Sequence, residues 1–202
     1  SLAVPDDEAP NNNNNCDCRD CDCNDDSCNN DTTPVLLQVD KDAALIKQHF
    51  QLDHVTYRQV NPVLIPKGYT RDYLNGQISQ VQQRSRIVES YRAIRDQSSC
   101  NHGVVLCEGT GHVAVGSIVD ASNAQVASWL NARMILVANG GLGQTMDELD
   151  LNYAYLQQQQ QQQGGGGGGG QGGTGGTAQL AGVIINKVKP EKYEQTKHYI
   201  QK

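Results

Sequence analysis

Aromatic rings are scarce: the 202-residue chain carries one Phe, one Trp and eight Tyr. It also has no stripe of Lys and Arg, so bases have little to stack on and phosphate backbones little to neutralise them. A nucleic-acid partner is therefore not expected. No apolar run approaches the roughly 18 residues that cross a bilayer, and no charged-then-apolar leader is present. The chain reads as soluble, with no membrane partner. Of the seven cysteines, only Cys100 and Cys107 lie outside a cluster near the start, and Cys107 sits in an apolar run. That excludes a disulfide framework and points to a reducing compartment, cytoplasm or organelle matrix.

What is present is unevenly spread. The net charge of -6 is concentrated in residues 1–33, where nine acids from Asp6 to Asp31 face Arg19 alone, so the remainder nets +2. This stretch of Asn, Asp and Cys reads as a low-complexity segment. Residues 157–177, Gln followed by Gly, read as a disordered insertion. Setting both aside leaves 148 residues, the size of one domain rather than two. No helix or strand pattern precedes Val35 and the first residue is Ser1, so the chain is read as part of a larger product.

Residues 34–202 alternate in pattern. Asp40 to Phe50 has helical spacing with Asp40 as cap, and His54 to Val60 is β-branched and aromatic, which predicts a strand. Leu74, Ile78, Val81, Val88, Tyr91 and Ile94 predict one amphipathic helix over Asp72 to Asp96. The run Gly103 to Cys107 predicts a strand buried on both faces, as do Met134 to Ala138 and Val183 to Ile185. Helices are expected over Asn123 to Asn131, Thr145 to Leu156 and Glu191 to Ile200, the last with Pro190 at its first position. Strand alternating with helix predicts an α/β fold, a doubly wound and mostly parallel sheet with crossover helices.

Three places carry possible chemistry. Cys16, Cys18, Cys21, Cys23 and Cys28 are spaced closely enough to share a soft ion such as zinc or copper(I). Compositional drift of a low-complexity segment is the simpler reading of them. Glu108-Gly109-Thr110-Gly111-His112 follows a strand-like run. A carboxylate and glycines beyond a parallel strand's carboxyl end form a binding pattern, although Glu108 could instead be structural and His112 face solvent. Gly140 to Gly143 could cradle a phosphate or simply turn from strand to helix.

An ordered set of segments resembles dethiobiotin synthetase. It comprises Asp42-Ala43-Ala44-Leu45, Gln51-Leu52-Asp53, Val60-Asn61-Pro62, Gly103 to Gly111, Ile135-Leu136-Val137 with Leu142-Gly143, and Gly182-Val183-Ile184-Ile185-Asn186. The resemblance is closer still to the dethiobiotin-synthetase-like P-loop domain of some phosphate acetyltransferases and of cobyrinate-amidating relatives. It covers most of Val35 to Lys202 outside the tract at 157–177. It implies ATP and Mg2+ as cofactors, Asp42 and Glu108 as metal ligands and Asn186 on the adenine edge. Gly109, Thr110 and Gly111 would face a small anionic acceptor, and a homodimer is an implied assembly. The implied activity is ligase-type, a carboxylate or carbamate activated by phosphorylation. A nucleotide-sensing regulatory domain without chemistry, and a metal-buffering product with a vestigial body, are the alternatives.

The departures bear on this. No G-x-x-x-x-G-K-[ST] occurs in residues 1–202, nor does the family's later lysine. Without those groups on the phosphates, the chain by itself is not expected to turn over ATP. Pro66 to Asp72 departs from the synthetases' substrate segment, leaving Lys67 and Arg71 as cations for another anion or as solvated charge.

Overall fold

Only one residue of the first helix is fully buried, and it decides where that helix sits. The computed structural model describes residues 2–7, 36–97, 103–164 and 178–201. Helix α1 (Lys41–His49) starts where the Asp40 side chain accepts the Asp42 N–H at 2.9 Å. It presses Ala44 against Val4 and Val39. Those two residues belong to β1 (Leu2–Pro5) and β2 (Leu36–Val39), which pair antiparallel with Pro5 opposite Leu36. The expectation of no strand before Val35 is thus corrected: Leu2 to Pro5 forms one, and the residues between Pro5 and Leu36 link the two strands of a ladder. The four-residue run was too short to carry a readable alternation. Asp6 and Asp7, read as part of the low-complexity stretch, are tied to the body. Asp6 pairs with Arg58, and both Asp7 carboxylate oxygens accept the Tyr57 N–H at 3.0 and 3.1 Å.

The strand expected at His54 to Val60 is instead a loop and a one-turn helix, α2 (Tyr57–Val60). Thr56 and Gln59 form a reciprocal cap there, which outweighs the β preference of the side chains. The long helix expected from Asp72 to Asp96 is two: α3 (Tyr69–Leu74) and α4 (Gln80–Gln97). Gly76, at φ +75°, ends the first, and Ser79 and Gln82 exchange hydrogen bonds at 3.1 and 3.3 Å to begin the second. The break also splits the expected apolar face, leaving Ile78, Val88, Tyr91 and Ile94 half-buried. Leu74 and Val81 are exposed, and the side chain α4 buries is Gln83. It accepts from the Tyr69 hydroxyl at 3.1 Å and donates to Val119 O at 2.9 Å, so its amide is satisfied where a leucine would leave that carbonyl unpaired.

Beside this knot, the Tyr73 hydroxyl donates to Asp120 at 2.6 Å. That bond, then partial drying, then the charge of Asp120, push the Tyr73 phenol up to about 12 from 10.0. A folded value above the unfolded one stabilises the fold fully below pH 10, and the contribution disappears as pH rises toward about 12. Chemical denaturation across that range should fall more steeply for the native chain than for Tyr73→Phe; parallel curves would exclude the link.

The second half is organised by parallel pairing. Helix α5 (Asn123–Leu130), capped by Ser122, leads into β3 (Arg133–Asn139). Helix α6 (Leu142–Gly164) then crosses to β4 (Gln179–Asn186), which runs parallel to β3. The α/β class therefore holds, with α7 (Tyr193–Ile200) closing the order behind Pro190. Helix α6 outruns its expected end at Leu156, so the seven glutamines 157–163, expected as part of a disordered insertion, continue it, and Gln160 donates to Ala178 O at 2.7 Å. Glutamine is a good helix former and the preceding turns supply the nucleus. Leu156, 2 % exposed, packs with Val113, Ala124, Ala127 and Ala178 under Met134, Leu136 and Leu180. Its burial contributes about 2 kcal/mol.

The run Gly103 to Cys107 is not a strand. Val104 and Leu106 are 91 % and 89 % exposed, and Cys107 is an exposed free thiol. A continuous apolar run becomes a buried strand only when two neighbours flank it, and among the described residues none pairs with it. The outer faces of β3 and β4 are likewise open at Ile135, Val137 and Ile184. Among the described residues, no helix is long and apolar enough to cross a membrane.

Candidate functional site

Parallel strands bring their carboxyl ends to one edge, and here that edge carries two amides. Asn139 ends β3 directly opposite Asn186, which ends β4. Just beyond, the chain is drawn tight. A Cβ on Gly140 would lie 2.6 Å from Val188 Cα and N and 2.8 Å from Lys187 C, so only glycine lets the two backbones approach. The turn into α6 is closed by the buried Thr145, whose hydroxyl bonds Asn139 O and accepts the Gly141 N–H at 3.1 Å. Gly141 N also reaches Asn139 O at 2.9 Å. The amide of Gly141 is thus consumed within the turn. Gly140 to Gly143 thus make the strand-to-helix turn from β3 into α6.

At Asn186, the side-chain oxygen accepts the Lys187 N–H at 2.8 Å. Lys187 adopts φ +57°, and this local bond fixes the amide at the strand end. Among the described residues, no protein atom accepts from the Asn186 Nδ2. Asn139 was missed in the sequence because nothing marked it until β3 and β4 were set in register.

Glu108 to His112 forms a loop pinned to helix α5. The Asn123 Nδ2 donates to Thr110 O at 3.0 Å and to His112 O at 2.9 Å. Gly109 lies so close that an added Cβ would meet Asn123 Oδ1 at 2.7 Å, and Gly111 turns at φ +70°. The next residue, Val113, enters the core and gives its N–H to Asn152 Oδ1 of α6 at 3.1 Å. Neither Asn123 nor Asn152 was a candidate from sequence, although a polar residue just after a Ser cap is the signal that could have found Asn123. His112 is exposed, with Nδ1 accepting the Ala114 N–H at 3.3 Å.

Asp42 stands apart from this loop in the chain's packing. It is exposed on the first turn of α1, which packs on the Val4 and Val39 cluster. The loop after Glu108 is anchored instead through Val113 to the cluster around Leu156. No hydrogen bond or ion pair among the described residues joins Asp42, Glu108 and Asn186. Nor do three or more His, Cys, Asp or Glu side chains converge there. Asp42 and Glu108 present exposed carboxylate oxygens with no cationic partner among the described residues, the hard donors that Mg2+ takes one or two at a time alongside phosphates and water. In that limited sense the donor set fits the ion. Lys67 is exposed and Arg71 is 78 % exposed beside Asp72, in keeping with solvated charge. The cysteines from Cys16 to Cys28 lie outside the described residues.

A family model described as an AAA domain matches residues 34–202. No curated protein and no solved structure matches the chain.

Proposed function

From the premise that the chain belongs to the AAA domain family, a P-loop NTPase family, we propose that it supplies the strand-end side of an Mg-ATP site of the dethiobiotin synthetase-like kind. The observation that carries this is the register placing Asn139 beside Asn186 at the carboxyl edge of a parallel ladder, where open α/β sheets bind ligands. In this reading Asn186, whose Nδ2 donates to no protein atom among the described residues, holds the adenine edge. Glu108 and Asp42 hold Mg2+, which when bound supplies charge neutralisation for the nucleotide's phosphates. The loop at Gly109, Thr110 and Gly111 receives the acceptor to be activated.

The test is nucleotide titration followed through backbone amide resonances. Adenosine, which has no phosphates, should move the signals at Asn139 and Asn186 with or without Mg2+. Mg-ATP should bind more tightly than ATP alone. Glu108→Gln should remove that difference, by at least the roughly 10-fold that weakening a metal site costs, and leave adenosine unaffected. ATP binding indifferent both to Mg2+ and to Glu108→Gln would overturn the reading.

The departure of Pro66 to Asp72 from the synthetases' substrate segment favours a second reading, a nucleotide-sensing regulatory domain of a phosphate acetyltransferase-like protein. Nucleotide binding without acceptor-dependent ADP formation would support it.

A further inference from the structure

We propose that Asn123 is a positioning residue that holds the Gly109-Thr110-Gly111 loop with its backbone N–H groups available to an oxyanion, a carboxylate or a phosphate. One nitrogen carries two hydrogens, and Asn123 Nδ2 spends both on the loop, at Thr110 O and His112 O. In a trans peptide the carbonyl and the following N–H point in opposite directions. Drawing Thr110 O toward Asn123 therefore aims the Gly111 N–H away from it, and drawing in His112 O does the same to the Val113 N–H. The second of these finds an acceptor, Asn152 Oδ1 at 3.1 Å. The first finds none: among the described residues, the N–H groups of Gly109, Thr110, Gly111 and His112 donate to no protein atom.

The exposed Gly111 N–H, whose peptide carbonyl at Thr110 is tied back, stands among neighbouring unengaged N–H groups and is pre-formed for an anion, because ordering it costs little on binding. The two glycines serve this arrangement directly. Gly109 leaves room for the Asn123 amide, 2.7 Å from where a Cβ would be, and Gly111 supplies φ +70°. Glu108, next to the strip, carries the same charge as the ligand, so a cation at Glu108 should tighten binding. The inference deepens the reading above, on which the oxyanion belongs to the acceptor.

The test is a titration of the full chain with inorganic phosphate and, separately, with acetate, in Mg2+-free buffer and followed by amide resonances. The signals of Gly109, Thr110 and Gly111 should move with one anion or both; phosphate alone marks a tetrahedral ligand, acetate a carboxylate. Asn123→Ala and Gly109→Ala, which disturb the same contact from opposite sides, should each weaken binding about 10-fold while the α5 amides around Trp129 stay in place. Shifts absent with both anions, or persisting in both variants, would overturn the proposal. If phosphate binds but Mg-ATP fails its own test, the loop assignment stands and the nucleotide reading falls.

Discussion

Gly140→Ala is expected to lower stability by about 3 kcal/mol, at the upper end of what overpacking costs. The added methyl would lie 2.6 Å from two backbone atoms of Val188, and backbone two residues past the end of a parallel ladder cannot swing aside as a side chain can. For a chain of this size the melting temperature should fall by about 6–12 °C. Relief of the clash separates β3 from β4 where Asn139 faces Asn186, so adenosine binding should weaken in the same variant. Gly143→Ala is the control. It lies in α6 with nothing within 4 Å of its Cβ, and should be neutral or stabilise by about 0.5 kcal/mol. Equal melting temperatures for the two variants would refute the close approach.

Lys47→Met should be comparably costly, about 3 kcal/mol. The Lys47 side chain is 11 % exposed and its amine lies 3.5 Å from Asp7. It donates to Leu52 O at 2.9 Å and to Val55 O, with the Tyr57 ring 5.1 Å away. Methionine keeps the apolar stem and removes only the charge, which leaves two carbonyls and a carboxylate without their shared donor. The loss should appear as a lower urea midpoint at unchanged slope, with faster amide exchange at Tyr57, whose N–H is bound by Asp7. A loss below about 1 kcal/mol would mean that water replaces the amine.

These two positions mark the limits of what the sequence made legible. Helices α1, α5 and α7 and strands β3 and β4 were readable because local signals and burial agree there in part: Asp40, Ser122 and Pro190 begin helices, and Met134 and Leu136 do turn toward core, although Ile135 and Val137 between them stay exposed instead of making a strand buried on both faces. The errors fall where a short-range cap overrides composition. Thr56 with Gln59 made a helical turn from β-rich residues, and Ser79 with Gln82 restarted a helix after Gly76. Gly103 to Cys107 failed for a different reason, since no pattern along one chain states whether neighbours will flank a strand. The site was partly legible. The strand-end Asn186 and the Glu108 loop stood out by residue type, but Asn139, Asn123 and Asn152 gain meaning only from partners between 11 and 47 positions away.

The pairing of Pro5 with Leu36 has a practical corollary for engineering. Because both sides of the Asn/Asp/Cys stretch return to one end of a ladder, its length is thermodynamically cheap to change, about 0.6 kcal/mol for each doubling. The position between Asp7 and Leu36 is therefore a graft point, where an affinity tag or a fluorescent reporter can replace the native residues. Such a graft should keep Asp6 and Asp7, because their bonds to Arg58 and Tyr57 fasten the incoming strand to the body.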